Sequence, residues 1–297
     1  MLKTKKLLFR FYRNLIHNMI PSQLYKYEIG GIIHNYFISL LKPQYVEIMG
    51  KKIYLDNKDS LRLSTNPKGR DFEIEVFKTY IKPGNVVLDI GAHIGYCTII
   101  FSQLVGRQGR VYAFEPAPDN LKLLKKNIKI NNLTNVVVIP KAVSNTNGKI
   151  KLFLSNTSQA DHRTWEPREE RRSIEVNSLR IDDFFKKKYM HVNFVKIDIQ
   201  GGELEAILSM NTLLNKNKNV VIYTEYTPQY LKDSGVKPLE YIKKLILLGF
   251  QLYDVNEAEK KLNRTDLITI SNSYNTQEGV MTNLLCIRNN FVPFSKG

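Results

Sequence analysis

Val86-Val87-Leu88-Asp89-Ile90-Gly91-Ala92-His93-Ile94-Gly95 decides the fold. Its first five residues read as a strand buried on both faces, and the apolar segment Tyr96–Val105 that follows the second glycine reads as a helix. Gly91 lets the backbone turn sharply at the strand end, and Gly95 allows close passage at the helix start. A dinucleotide fingerprint needs G-x-G-x-x-G facing a pyrophosphate. Here the acid Asp89 stands where the first glycine would be, and a carboxylate there repels a pyrophosphate.

Working outward, strands and helices alternate. Arg110–Phe114 and 136–140 read as strands, with an amphipathic helix over 118–131 between them. Buried strands follow at 192–199 and 219–225, helices at 202–209 and 238–248, and a closing strand pair at 251–254 and 283–288. Residues 149–154 read as a strand on the antiparallel side of the sheet. This order predicts an α/β fold, a Rossmann-like, mostly parallel sheet covered on both faces. Upstream, 45–55 reads as a β-hairpin turning at Met49-Gly50, and Phe72, Val76, Phe77 and Tyr80 mark a short helix ended before Pro83-Gly84. The expected organisation is a basic, helical extension over 1–43, a hairpin and connector over 44–71, and a catalytic domain over 72–290.

A second acid narrows the cofactor. Glu115 ends the second strand, twenty residues after Gly95, within Phe114-Glu115-Pro116. A carboxylate at that strand tip accepts both hydroxyls of a ribose and clashes with a 2′-phosphate. Asp89 suits the ammonium of an amino-acid end. Together they point to S-adenosylmethionine and away from a nicotinamide dinucleotide.

With these residues assembled, the chain resembles the FkbM family of S-adenosylmethionine-dependent methyltransferases. The likeness covers about 70–255 and rests on Lys82 to Gly95, Phe114-Glu115-Pro116, Ala142-Val143-Ser144 and Val195-Lys196-Ile197-Asp198-Ile199-Gln200-Gly201-Gly202-Glu203. It implies a seven-stranded class I fold and O-methylation of a hydroxyl on a sugar, glycan or other small-molecule or lipid-linked acceptor. It also implies that Asp89, Gly91, Ala92 and Gly95 line the methionine portion of the cofactor, with His93 contributing backbone. Glu115 and Pro116 would lie at the ribose, Ala142-Val143 at the adenine, and Glu73 near the cofactor. The chain departs from the family at Gln200, where D-x-E-G-x-E is usual, which leaves one carboxylate fewer.

A hydroxyl acceptor must lose its proton, which asks for a carboxylate or imidazole within reach. Asp198, at the end of a buried strand, is the first candidate and Glu225, at the next strand end, the second; Asp198 reads equally as a cofactor ligand. The polar stretch 155–172, with Asp161, His162, Arg163 and the lone Trp165, reads as a substrate-side loop. No ligand spacing calls for a metal.

Composition sets the remaining bounds. A hydrophobic fraction of 43% suits a packed core, and no apolar run reaches the ~18–20 residues of a membrane span. Cys97 and Cys286 suggest reduced thiols and a cytoplasmic setting. The net charge of +16 favours anionic partners. Within 1–43, Lys3, Lys5, Lys6, Arg10, Arg13, Lys26 and Lys42 face one acid, Glu28, and Leu8, Phe11, Tyr12, Leu15 and Met19 recur at helical spacing. That pattern fits a helix packed on the domain or one lying peripherally on the inner membrane surface. Nucleic acid is the weaker partner: no [Asn/Asp]-Pro-Pro-[Tyr/Phe] follows the fourth strand, although ribose methylation of RNA and a non-catalytic binding module stay open as alternatives.

Overall fold

The computed structural model describes Leu8, Phe9, Phe11 and residues 40–288 apart from 67, 187–189, 275 and 278. The chain enters through a hairpin of β1 (Tyr45–Ile48) and β2 (Lys51–Tyr54), turned by Met49 and Gly50 at φ 48° and 74°. Two successive positive φ values match the right-handed twist of the strands. There follow α1 (Asp71–Tyr80), β3 (Val86–Ile90), α2 (Tyr96–Val105), β4 (Arg110–Phe114), α3 (Pro118–Ile130) and β5 (Val136–Ile139). The short β6 (Ala142–Val143) leads to β7 (Gly148–Phe153), β8 (Ser173–Leu179) and α4 (Ile181–Phe184). The second half runs β9 (Phe194–Ile197), α5 (Glu203–Ser209), α6 (Asn211–Lys216), β10 (Val221–Tyr226), α7 (Pro228–Asp233) and α8 (Pro238–Leu247). It ends with β11 (Phe250–Asn256), β12 (Lys261–Thr265), α9 (Leu267–Ser273) and β13 (Thr282–Arg288).

The central sheet has eight strands in the order β12-β11-β13-β10-β9-β3-β4-β5. Strands β10, β9, β3, β4 and β5 are mutually parallel, and β13 runs antiparallel between β10 and β11. From β3 the chain winds outward through β4 and β5, then returns to β9 on the other side. The order therefore reverses at β3, and a crevice opens there beyond the carboxyl ends, where ligands of open α/β sheets bind. Alternate side chains of β3 feed two cores. Leu88 and Ile90 join Val195, Ile197 and Ile207 on one face, while Val87 joins Phe77, Ile100, Phe101 and Phe194 on the other.

Two expectations need correction. Strand β7 is antiparallel to its partner but does not extend the central sheet; it pairs with β8, which also takes β6, in a separate three-stranded sheet. The sequence reading passed over β8 because Ser-Ile-Glu-Val-Asn-Ser is mostly polar; its alternation buries one face only. The central sheet also carries an eighth strand, the exposed β12, which the seven-strand expectation lacks.

The hairpin is fastened to the domain. The buried Asn127 of α3 accepts from Tyr54 N at 2.7 Å and donates to Tyr54 O at 3.0 Å and to Ile94 O at 2.8 Å. One amide thus ties β2 to the glycine turn. Of the first 39 residues, Phe9 is buried whereas Leu8 and Phe11 are exposed, the reverse of an inward face through Leu8 and Phe11. The rest of the helix expected over 1–43 lies outside the described residues. Among the described residues no helix is long and apolar enough to cross a membrane.

Candidate cofactor and acceptor site

The turn after β3 is dictated by crowding. Gly91 has φ +81°, and a Cβ there would lie 2.0 Å from the Asp198 carbonyl oxygen at the end of β9. Gly95 has φ +93°, and a Cβ would meet Leu124 Cδ1 of α3 at 2.7 Å. Only glycine lets the two strand ends and α3 close on this turn. Between them His93 sits at φ 51°, a conformation costly to a side chain.

The cavity beyond β3 is lined by Gly91, Ala92, His93, Glu115, Pro116, Ala142, Val143 and Asp198 among the residues expected in the site. It encloses about 820 Å³ of empty space, a figure that includes its open mouth. Asp89, Gly95, Glu73 and Glu225 are brought close but do not line it.

Glu115 is buried at the tip of β4. His93 N donates to its Oε2 and Ala117 N to its Oε1, both at 2.8 Å. Burial pushes its carboxyl up to about 7, against the pull of those amides. A carboxylate has about four acceptor positions; besides the two amides the Asn120 side chain lies against this one, and the remaining capacity faces the cavity. Neither ring nitrogen of His93, nor Asn120 Oδ1, finds a hydrogen-bond partner although all are buried at this wall. Unpaired polar atoms in a cavity are costly unless a ligand meets them.

Asp89 is fully buried below the turn. Thr98 Oγ1 donates to it at 2.5 Å, and the ammonium facing it, at 3.7 Å, is the protein's own Lys196. The sheet register dictates this, since Lys196 stands directly opposite Asp89 on the neighbouring strand. Lys196 Nζ also donates to Gly91 O at 2.8 Å and pairs with Asp198 at 3.5 Å. A buried lysine is tolerable only when so paired.

Asp198 is braced on both oxygens. Gln200 Nε2 donates to Asp198 Oδ1 and to Glu225 Oε2, each at 2.9 Å. Burial works against the charge on Asp198, but Lys196, the Gln200 amide and Arg70 together hold its carboxyl below the ordinary range. Glu225 differs: burial, then Asp198 and Glu203, push its carboxyl well up. Glu203 caps the loop through Ile199 N and Gly201 N rather than facing the cavity. Gln200 itself has φ 55°, and its carbonyl accepts from Trp165 Nε1 at 2.7 Å.

That contact brings the 155–172 loop onto the site. Gln159, Ala160, His162 and Thr164 line the cavity, while the buried Arg163 guanidinium stacks between Trp165 and Tyr230 at 4.8 and 4.1 Å. Ser155 N donates to His162 Nδ1 at 3.0 Å, so a neutral His162 offers only its Nε2–H. Of the described residues, the sequence reading missed Arg70, Lys141 and Lys196 in this wall. Lys196 left a signal, a lone charge inside the buried strand Phe-Val-Lys-Ile; Arg70 left none, standing in a polar turn.

Residues 89–252 match the methyltransferase FkbM domain. The chain belongs to the FkbM methyltransferase family. Among curated proteins it is 28% identical over 115 residues to a probable cobalt-precorrin-6B C(15)-methyltransferase (decarboxylating) of Sulfurisphaera tokodaii, covering 36% of this chain and 59% of that one. It is 36% identical over 88 residues to the protein of the same description from Saccharolobus solfataricus, covering 28% and 44%. The chain thus spans about half the length of these relatives. Among solved structures it is similar to the methyltransferase FkbM of Methylobacillus flagellatus KT at 15% identity, covering 78% of this chain and 56% of that one with a TM-score of 0.42. A putative rRNA-methylase of Clostridium thermocellum gives 16% identity, 73% and 92% coverage and a TM-score of 0.44.

S-adenosylmethionine is the cofactor of this FkbM domain, and the wall fits it. Glu115 lines the cavity with acceptor capacity for a ribose diol, and Ala142 and Val143 give an apolar surface for a base.

Proposed function

We propose that the chain transfers the methyl group of S-adenosylmethionine to a hydroxyl of a sugar, glycan or other small-molecule or lipid-linked acceptor. The observation that carries this reading is Asp198, a carboxylate held ionised in the same cavity as the ribose acceptor Glu115. When bound, S-adenosylmethionine supplies an electrophilic methyl on a leaving group that already bears positive charge.

What the chain must add is orientation and a place for one proton. Asp198, braced by Lys196 and Gln200, accepts the hydrogen bond of the acceptor hydroxyl. It takes the proton as the new carbon–oxygen bond forms. Its depressed basicity makes it an orienting acceptor that receives the proton late. Glu225 acts behind it, through Gln200, and does not touch the acceptor. The 155–172 loop supplies Thr164 and the His162 N–H as further polar contacts and covers the cavity from water.

Calorimetry with S-adenosylmethionine and its demethylated product tests the site, and a labelled-methyl screen of glycans, lipid-linked sugars and RNA tests the acceptor. The expected result is binding by wild type that Glu115→Ala loses, with label in an ether linkage on a non-nucleic acceptor. Equal binding by both proteins overturns the site; label on RNA, an amine or carbon overturns the acceptor class.

A further inference from the structure

We infer that Arg70 holds the carboxylate at the amino-acid end of the methyl donor, and that Glu73 holds Arg70 in place for it. The inference rests on the cofactor reading above. Ala142 and Val143 follow β5, Glu115 ends β4, and Asp198 ends β9. A ligand with its base beside β6 and its ribose on Glu115 has only one way to continue, across the tip of β3 toward β9. The side chains lining the cavity in that direction include Asp198, Tyr96 and Arg70.

Arg70 is built for an anion there. Its Nη1 pairs with Glu73 at 3.2 Å, one turn along α1, and its guanidinium lies 5.5 Å from the centre of the Tyr96 ring. The other donors of its five form no hydrogen bond with the described residues, and a guanidinium fork suits a carboxylate. Lys196, the other cation on this side, is already committed to Asp89, Asp198 and the Gly91 carbonyl. Tyr96 opens α2, whose first turn carries no acid and whose N-cap, Gly95, offers no side chain, so the positive end of that helix faces the same corner. The unpartnered His93 ring, nine-tenths buried, lines the cavity as well and marks it as a place where a polar ligand is awaited. Glu73 is buried beneath Arg70 and does not reach the cavity, which gives the residue expected near the cofactor an indirect part.

Three probes separate this role from a structural one: S-adenosylmethionine, its decarboxylated analogue, and 5′-methylthioadenosine, which lacks the whole amino-acid end. Each is titrated by calorimetry into wild type, Arg70→Ala, Arg70→Lys and the double variant Arg70→Ala/Glu73→Gln, which avoids stranding a buried carboxylate. Wild type is expected to prefer S-adenosylmethionine over the decarboxylated analogue by about 30-fold, the scale of charge-assisted hydrogen bonds. In both alanine variants that preference shrinks to about threefold or less, while the other two ligands bind as before. Lysine restores part of it. Unchanged S-adenosylmethionine affinity in the variants, or an equal loss of all three ligands, overturns the inference. If wild type binds none of the three, the cofactor reading falls and this inference with it. If wild type binds and only Glu115→Ala loses affinity, the cofactor reading stands and Arg70 is refuted alone.

Discussion

The two sides of the β3 tip are built by different means. Toward β4 the site is mostly backbone: a glycine turn, the amides of His93 and Ala117 on Glu115, and a short apolar strand. Toward β9 it is mostly side chains: Lys196 between Asp89 and Asp198, Gln200 between Asp198 and Glu225, Arg70 on Glu73. The first side depends on where the chain turns, the second on which charges meet. The backbone side should therefore be intolerant of shape, and the side-chain side sensitive to charge and pH.

The largest effect belongs to shape. Gly91→Ala meets both a left-handed φ and a Cβ 2.0 Å from a carbonyl oxygen. The expected cost is about 3–5 kcal/mol, from backbone strain plus overpacking at one point. Urea unfolding measures it, and a variant within about 1 kcal/mol of wild type would break the argument that this turn is sterically closed.

Glu115 links the two kinds of construction. Its carboxyl, ordinarily near 4.5, stands at about 7 in the folded protein because it is buried. Two hydroxyl donors need the ionised form. Affinity for S-adenosylmethionine is therefore expected to be full above pH 8 and to weaken by up to about tenfold per unit below pH 7. Stability of the ligand-free protein has the opposite sign. A raised carboxyl binds its proton more tightly when folded, so its contribution is present below the unfolded value and is lost as pH rises through about 7. Glu115→Gln should accordingly lose about 100-fold in affinity. Each carboxylate oxygen accepts one backbone N–H, and a glutamine NH2 can accept neither, so one buried amide is left unpaired and the variant should also unfold at a lower urea concentration than wild type. Unfolding at a higher concentration than wild type at pH 8 would mean that the buried charge costs more than that amide bond returns.

The same division explains what could be read in advance. The turn, its two glycines and Glu115 lie within thirty consecutive residues, and each obeys a local rule: buried strand, bend, helix, strand-tip acid. Fold class, strand ends and the β4 side of the site were legible for that reason. The β9 side joins residues 70, 73, 89, 165, 196, 198, 200 and 225, which no spacing relates. Asp89 illustrates the limit. Its place beside the turn was readable, but the cation facing it was not, because sheet register decides that Lys196 is opposite. Strand β8 was lost to the same cause in weaker form, since its pairing with β7 lies across a long polar loop.

Gln200→Glu probes the side-chain half with a smaller change. The amide gives one hydrogen to Asp198 and one to Glu225, so it bridges the two carboxylates without a shared proton. A glutamate returns the family's usual pattern but puts a third acid between them, with Glu203 close by and Glu225 already pushed well up. The new carboxyl would also have its folded value raised above the unfolded one. Its protonated form can still donate one hydrogen bond, so the loss is small at pH 6. As pH rises through the folded value the proton leaves, and stability should fall by about 2 kcal/mol at pH 8, the cost of two charge-assisted bonds less what solvent returns. Urea unfolding at both pH values measures the difference. Equal losses at pH 6 and pH 8 would mean that Gln200 acts through packing against Trp165 and not through the carboxylates it joins, and the β9 side would then be a matter of shape as well.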